Sequence, residues 1–151
     1  MSTTVETDSV LAALEEQVAC YRRLAKLAEL QHVHVQQGQT EELLDVLQKR
    51  QEVLNDIARL EAVVGPQKRR WSVYLSEIDS ADRVRAESLL AETRRLLEEI
   101  TAADRNDALV LQQRKLNLGR QINQASAAKQ VNKSYAAAAY GNRQARMDIS
   151  R

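Results

Sequence analysis

The residues of this chain that could do chemistry are few, and their spacing disfavours a catalytic or metal site. His32 and His34 are the only histidines, and Cys20 is the only cysteine. In a helix, side chains two positions apart point about 200° away from each other, so the two imidazoles cannot hold one ion together. The single cysteine excludes an internal disulfide and is typical of a reducing compartment.

The paired carboxylates are equally uninformative about chemistry. Glu15 and Glu16, like Glu41 and Glu42, are adjacent in sequence and therefore diverge on a helix. The Glu-x-x-His pattern of di-iron bundles is absent, as are phosphate-binding loops, dinucleotide-binding loops and zinc-type Cys/His spacings. The sequence therefore predicts a protein that is not an enzyme and that binds no metal or cofactor.

The composition indicates the elements that any functional residues must sit on. The 151 residues include only 4 Gly, 1 Pro and no Phe, and the remainder is rich in Leu, Ala, Glu, Gln and Arg. Those are strong helix formers, and the turn residues that punctuate sheets are nearly missing. We expect an all-α fold: an elongated antiparallel helical hairpin plus a long C-terminal helix, packed as a coiled-coil-like bundle.

Four helices are predicted from apolar spacing and from helix-breaking residues. Gly38 and the pair Gly65-Pro66 mark the ends of the first two helices. The expected bounds are about 3–35, 40–64, 66–78 and 80–139. Together they form a single helical domain over residues 1–140, and the polar residues 141–151 are predicted to be disordered.

The apolar residues at seam spacing define the expected core. The residues predicted to be buried are Leu14, Val18, Leu47, Leu54, Ile57, Leu89, Leu96 and Ile100. The pattern weakens at Asp104-Arg-Asn-Asp107, where polar residues fall on seam positions.

The C-terminal part of the chain is basic, whereas the residues before it carry a net negative charge. Before Gly119 there are 16 Lys/Arg against 20 Asp/Glu, whereas from Gly119 onward there are 6 against 1, a net of +5. The apolar positions of this segment are mostly Ala, so it would pack weakly against its own chain. An amphipathic helix of this kind suits a partner helix, or else forms a thin additional helix of the bundle.

Three regions resemble the FlgN family of flagellar export chaperones. The first is a Glu- and Leu-rich second helix after Gly38, and the second is the stretch from Asn106 to Leu118 before a Gln/Ala-rich helix. The third is the polar ending at Tyr140-Gly141. The resemblance implies a cytoplasmic chaperone that binds the amphipathic C-terminal segment of hook-associated proteins at the hook–filament junction. It also implies that the chaperone keeps its client unassembled and delivers it to the type III export gate.

The family offers no sharp client-binding motif, so the predicted client-binding face rests on the chain's own C-terminal apolar residues: Leu118, Ile122, Val131 and Tyr135. Two other interpretations stay open. One is a structural coiled-coil adaptor that self-associates into a homo-oligomer. The other is a nucleic-acid binder that uses the basic segment, which the acidic body and the scarcity of aromatics disfavour. No signal peptide and no membrane-length apolar run is seen, so a cytoplasmic protein is expected.

Overall fold

The computed structural model describes the backbone of residues 2–149 and the side chains of residues 8–138. Within these residues every element is a helix, and the predicted all-α class is confirmed. The elements are α1 (Ser2–Gln37), α2 (Thr40–Arg69), α3 (Trp71–Glu77) and α4 (Ser80–Ile149). The chain divides into two compact units, residues 1–110 and residues 111–151, each described below by itself. The single domain over residues 1–140 stays a prediction.

The turn between α1 and α2 is a helix C-cap built on glycine. Gly38 has a φ of 67°, in the left-handed region that other residues adopt only at a cost. Its N–H donates to the carbonyl of Val35 at 3.3 Å, and the N–H of Gln39 donates to the carbonyl of His34 at 3.0 Å. This pair of bonds is the Schellman arrangement, which satisfies carbonyls at the end of α1 and reverses the chain.

The predicted end of α2 at Gly65-Pro66 is wrong, because the helix continues through Pro66 to Arg69. Proline removes one backbone hydrogen bond from a helix interior, so other contacts must hold this turn. Lys68 donates to Glu61 at 3.1 Å, and Glu61 also accepts from the buried Gln17 of α1 at 2.9 Å. Burial acts to raise the pKa of Glu61, but the hydrogen bonds from Gln17 and Lys68 outweigh it, and the pKa is lowered. The last turn of α2 is therefore tied both to itself and to α1.

Helix α4 begins with a capping side chain and extends further than predicted at its other end. At the start, the side chain of Asp79 accepts a hydrogen bond from the N–H of Asp82 at 2.8 Å, which is the usual N-cap contact. At the other end the helix continues to Ile149 rather than ending near residue 139. The side chains of residues 139–151 lie outside the described part, and the disordered polar ending stays a prediction.

The first unit is a three-helix bundle in which α1 and α4 run parallel. The residue numbers of the paired side chains increase along both helices: Glu15 pairs with Arg85, and Arg22 pairs with Glu92 at 2.7 Å. The hairpin partner α2 runs antiparallel to both. Short α3 packs at the end of the bundle where α2 finishes and α4 begins.

Two apolar clusters fill this bundle. The first, at the α3 end, contains Val10, Leu11, Ala13, Leu14, Val64, Tyr74, Ile78 and Ala86. The second, in the middle, contains Cys20, Leu24, Val53, Ile57 and Ile100. Five of the eight predicted core residues are buried as expected: Leu14, Val18, Ile57, Leu96 and Ile100. Leu89 is half-buried.

The prediction is wrong for Leu47 and Leu54, which are 44% and 41% exposed. The seam of α2 that faces the bundle is instead Val46, Arg50, Val53, Ile57, Leu60 and Val64, at alternating spacings of four and three. Because Arg50 occupies one position of this seam, the seam contains a charged residue. The apolar stripe through Leu47 and Leu54 contains none, and it therefore looks more regular in the sequence. At these two positions the buried face of α2 is displaced by one residue, to Val46 and Val53, whereas Ile57 is buried as predicted.

Candidate functional site

The seam of α4 stops at the boundary between the two units. Up to that point its positions at spacings of three and four are buried or half-buried: Ala86, Leu89, Thr93, Leu96, Ile100, Ala103, Asp107 and Val110. Continued in the same register, the next positions are Arg114, Asn117, Gln121 and Gln124. Polar residues over two heptads leave nothing apolar to extend this seam.

Residues 111–138, which we call the basic segment, have exposed side chains throughout apart from the half-buried position of Gly119. The four residues predicted to bind a client lie in it. Leu118 is 57% exposed, Ile122 56%, Val131 51% and Tyr135 73%. Within the basic segment, therefore, all four are available to a partner.

The four residues do not share one face of α4, and their role in binding a client stays a prediction. Ile122 and Val131 are nine residues apart, which on an α-helix of 3.6 residues per turn is about two and a half turns. Leu118 and Ile122 therefore lie on one side of α4, and Val131 and Tyr135 lie on the opposite side. Residues 122, 125, 128 and 131 are separated by three successive steps of three residues. Because each step falls short of a full turn, the pattern rotates around the helix.

Each pair belongs to its own apolar surface. Leu118 and Ile122 extend the side that carries Leu111, at spacings of seven and four. Val131 and Tyr135 line one shallow groove along the helix, together with Ala127 and Ala138. The basic segment thus offers two short apolar surfaces rather than one long stripe.

The charge of the two units is opposite in sign. Residues 1–110 contain 14 Lys/Arg and 20 Asp/Glu, a net of −6, whereas residues 111–151 contain 8 against 1, a net of +7. No Asp or Glu lies between Asp107 and Asp148. The five cations of the basic segment are Arg114, Lys115, Arg120, Lys129 and Lys133.

A polar cluster in the first unit joins the three long helices just before the seam of α4 ends. It consists of Gln31 and His32 on α1, Arg50 on α2, and Asp104 and Asp107 on α4. Asp107 is only 1% exposed, and it accepts from Gln31 at 3.1 Å and lies 2.8 Å from Nδ1 of His32. Arg50 donates to both carboxylate oxygens of Asp104, each at 2.8 Å, and also to the side-chain oxygen of Gln31.

The fork of hydrogen bonds to Asp104 raises the pKa of Arg50, although burial acts against it. A guanidinium held in this way stays charged and directional. The sequence analysis noted that polar residues of the stretch Asp104 to Asp107 fall on the seam of α4, but it did not identify Arg50 as a partner of this stretch. The missing signal was Arg50, which stands at a seam position of α2 when the register is taken from the valines.

A further exposed apolar surface lies on α2 in the first unit. It includes Leu44, Leu47 and Leu54, of which Leu44 is the most exposed at 61%. Gln51 lies between Leu47 and Leu54 on the same side, and Ala58 follows Leu54, so this strip carries no charge along about four turns of helix. The leucines that the sequence analysis assigned to the core therefore form a surface that another helix could cover.

Among residues 8–138, no group of three or more His, Cys, Asp or Glu side chains could hold a metal ion. Nor does any helix of the described part have the length and apolar character needed to cross a membrane. Comparison with protein families, with curated proteins and with solved structures finds no significant match for this chain.

Proposed function

We propose that this chain is a helix-binding chaperone of the FlgN type, which holds the amphipathic C-terminal segment of hook-associated proteins before export. The observation that carries the proposal is the exposure of the apolar residues of the basic segment. Leu116, Leu118, Ile122, Val131 and Tyr135 are each more than half exposed on one helix. Such side chains are the anchors that a helix partner covers in helix-to-helix recognition.

The mechanism needs binding and release but no bond chemistry. When the client helix covers Leu118 and Ile122, its own apolar surface is removed from water. That is the surface through which the client otherwise assembles. The three-helix bundle provides a folded base for the basic segment through their shared helix α4. Delivery to the export gate, in the cytoplasm, is the remaining part of the proposal and comes from the family resemblance.

Titration calorimetry with C-terminal peptides of hook-associated proteins tests the proposal. The full chain should bind such a peptide, and a chain truncated after Arg114 should remain helical but lose binding. Because Ile122 and Val131 lie on opposite sides, Ile122→Asp and Val131→Asp should be made separately. We expect the variant on the bound side to weaken binding at least tenfold, about 1.4 kcal/mol, and the other to have little effect. Equal binding by the truncated chain would move the site to the bundle.

A second candidate function is a structural adaptor that self-associates through helix pairing. The uncharged strip of Leu44, Leu47 and Leu54 favours it, because a three-helix bundle can bury such a strip under a fourth helix. Native mass measured over a range of concentrations distinguishes the two functions. A stable oligomer that Leu47→Gln and Leu54→Gln together dissociate, with no binding of client peptides, would favour the adaptor.

A further inference from the structure

One side of the basic segment combines apolar anchors with cations in a regular order. Leu111, Lys115, Leu118, Ile122, Ala125 and Lys129 follow one another at spacings of four and three, which places them on one side of α4. The apolar block from Leu118 to Ala125 thus has a lysine at each end. Lys115 and Lys129 are fourteen residues apart, or about 21 Å along the helix.

These lysines have no carboxylate of the same segment to pair with. Helix neighbours that form ion pairs lie three or four residues away, and no Asp or Glu occurs between Asp107 and Asp148. In the first unit, by contrast, ion pairs such as Arg95 with Glu99 and Lys49 with Asp45 follow this spacing. The charge of Lys115 and Lys129 is therefore left for a partner to balance.

We propose that the partner of this side is an acidic amphipathic helix with two carboxylates about fourteen residues apart, set on either side of an apolar block. Laid along α4, its apolar residues cover Leu118 and Ile122 while its carboxylates face Lys115 and Lys129. The inference rests on the proposed function, since it specifies the chemistry of the client helix. Electrostatic complementarity of this kind selects the partner and its alignment along the helix.

The other occupants of a basic helix fit this surface less well. A second copy of the segment would bring only cations against cations. An interfacial membrane helix keeps its apolar groups on one side, whereas Val131 and Tyr135 lie opposite Leu118 and Ile122. Single-stranded nucleic acid is held by stacking on aromatics, and the basic segment contains one, Tyr135.

Three synthetic helical peptides with identical apolar residues test the inference against the full chain by fluorescence anisotropy. They carry Glu, Gln or Lys at the two positions fourteen residues apart. We expect the Glu peptide to bind about tenfold more tightly than the Gln peptide at low salt, with the difference shrinking as salt is added. The Lys peptide should bind most weakly.

Two matched variants locate the effect. Lys115→Glu should reduce the preference for the Glu peptide about fivefold, whereas Arg120→Glu, on the opposite side of the same helix, should keep it. Both change the charge equally, and circular dichroism checks that both stay helical. If the preference survives in Lys115→Glu and is lost in Arg120→Glu, the assigned side is wrong.

The remaining outcomes separate this inference from the function on which it rests. Equal binding of the Glu and Gln peptides would overturn the acidic partner but leave helix docking in place. Failure of all three peptides to bind would overturn helix docking and the inference with it. Tighter binding of anionic vesicles or of single-stranded RNA than of the Glu peptide would assign the cations to those partners. A dimer that Lys115→Glu dissociates would assign them to a second copy.

Discussion

Two stretches of the same helix behave in opposite ways. Residues 80–110 of α4 pack against α1 and α2, and their seam residues such as Leu96 and Ile100 are buried. Residues 111–138 are as helical, but their larger apolar side chains are exposed. Both stretches are rich in good helix formers, so propensity explains the helix in each. Burial instead follows the seam, which is mostly apolar in the first stretch and entirely polar from Arg114 to Gln124.

The largest expected difference between the stretches is in the free energy of unfolding after truncation of an apolar side chain. Leu96 is 3% exposed and Ile122 is 56% exposed. We expect Leu96→Ala to cost about 2–5 kcal/mol, because it leaves a cavity among packed side chains. Ile122→Ala should change stability by less than about 0.5 kcal/mol. Urea denaturation of both variants measures this, and similar losses would contradict the distinction.

The polar cluster gives a smaller, more specific effect. Arg50→Ala removes the donor to Asp104 and Gln31, and we expect a loss of about 1–3 kcal/mol because their acceptors stay half-buried without a partner. Replacing the pair together, as Arg50→Met with Asp104→Leu, should recover most of that loss. Thermal and urea unfolding of Arg50→Met, of Asp104→Leu and of the double variant form a double-mutant cycle. A double variant less stable than either single would show that the ion pair is not the coupled unit.

Replacing Gly38 or Gly119 by alanine tests the comparison with the smallest expected changes in stability. Gly38→Ala should cost about 1–2 kcal/mol, because an alanine at a φ of 67° is strained even though nothing lies within 4 Å of its Cβ. Gly119→Ala, also with open space around it, should raise helicity and favour the helix by up to about 1 kcal/mol. Circular dichroism at increasing temperature checks both. Stabilisation by Gly38→Ala would mean that the turn does not need a left-handed residue.

The sequence predicted the helical class and the hairpin turn well because each has a local cause. Composition sets the first, and Gly38 sets the second. The end of α2 was predicted less well, since Pro66 is a strong breaker by itself and the turn beyond it is held by contacts such as those of Glu61 with Gln17 and Lys68. Those contacts depend on how α1 and α2 are aligned, which local patterns do not specify.

The register of α2 and the sidedness of the candidate site were the main errors. On α2, counting leucines favoured Leu47 and Leu54 over the stripe that contains Arg50. The presence of Arg50 in that stripe is explained by Asp104, which lies opposite it. On α4, spacings of three and four were read as one stripe, but three successive steps of three rotate the pattern around the helix. Angles summed along the helix, rather than spacings taken pair by pair, would have separated Ile122 from Val131.

The polar cluster also determines how α4 can align lengthwise with the hairpin. A heptad pattern repeats every seven residues, so an apolar seam alone tolerates displacement by a whole heptad. Moving α4 by one heptad would put Asp107 in the place of Ile100, beside Cys20 and Leu24. A carboxylate there would be buried among apolar groups and separated from Gln31 and His32, at a cost of several kcal/mol. A single buried acid therefore opposes this one-heptad displacement, which the apolar seam alone would tolerate.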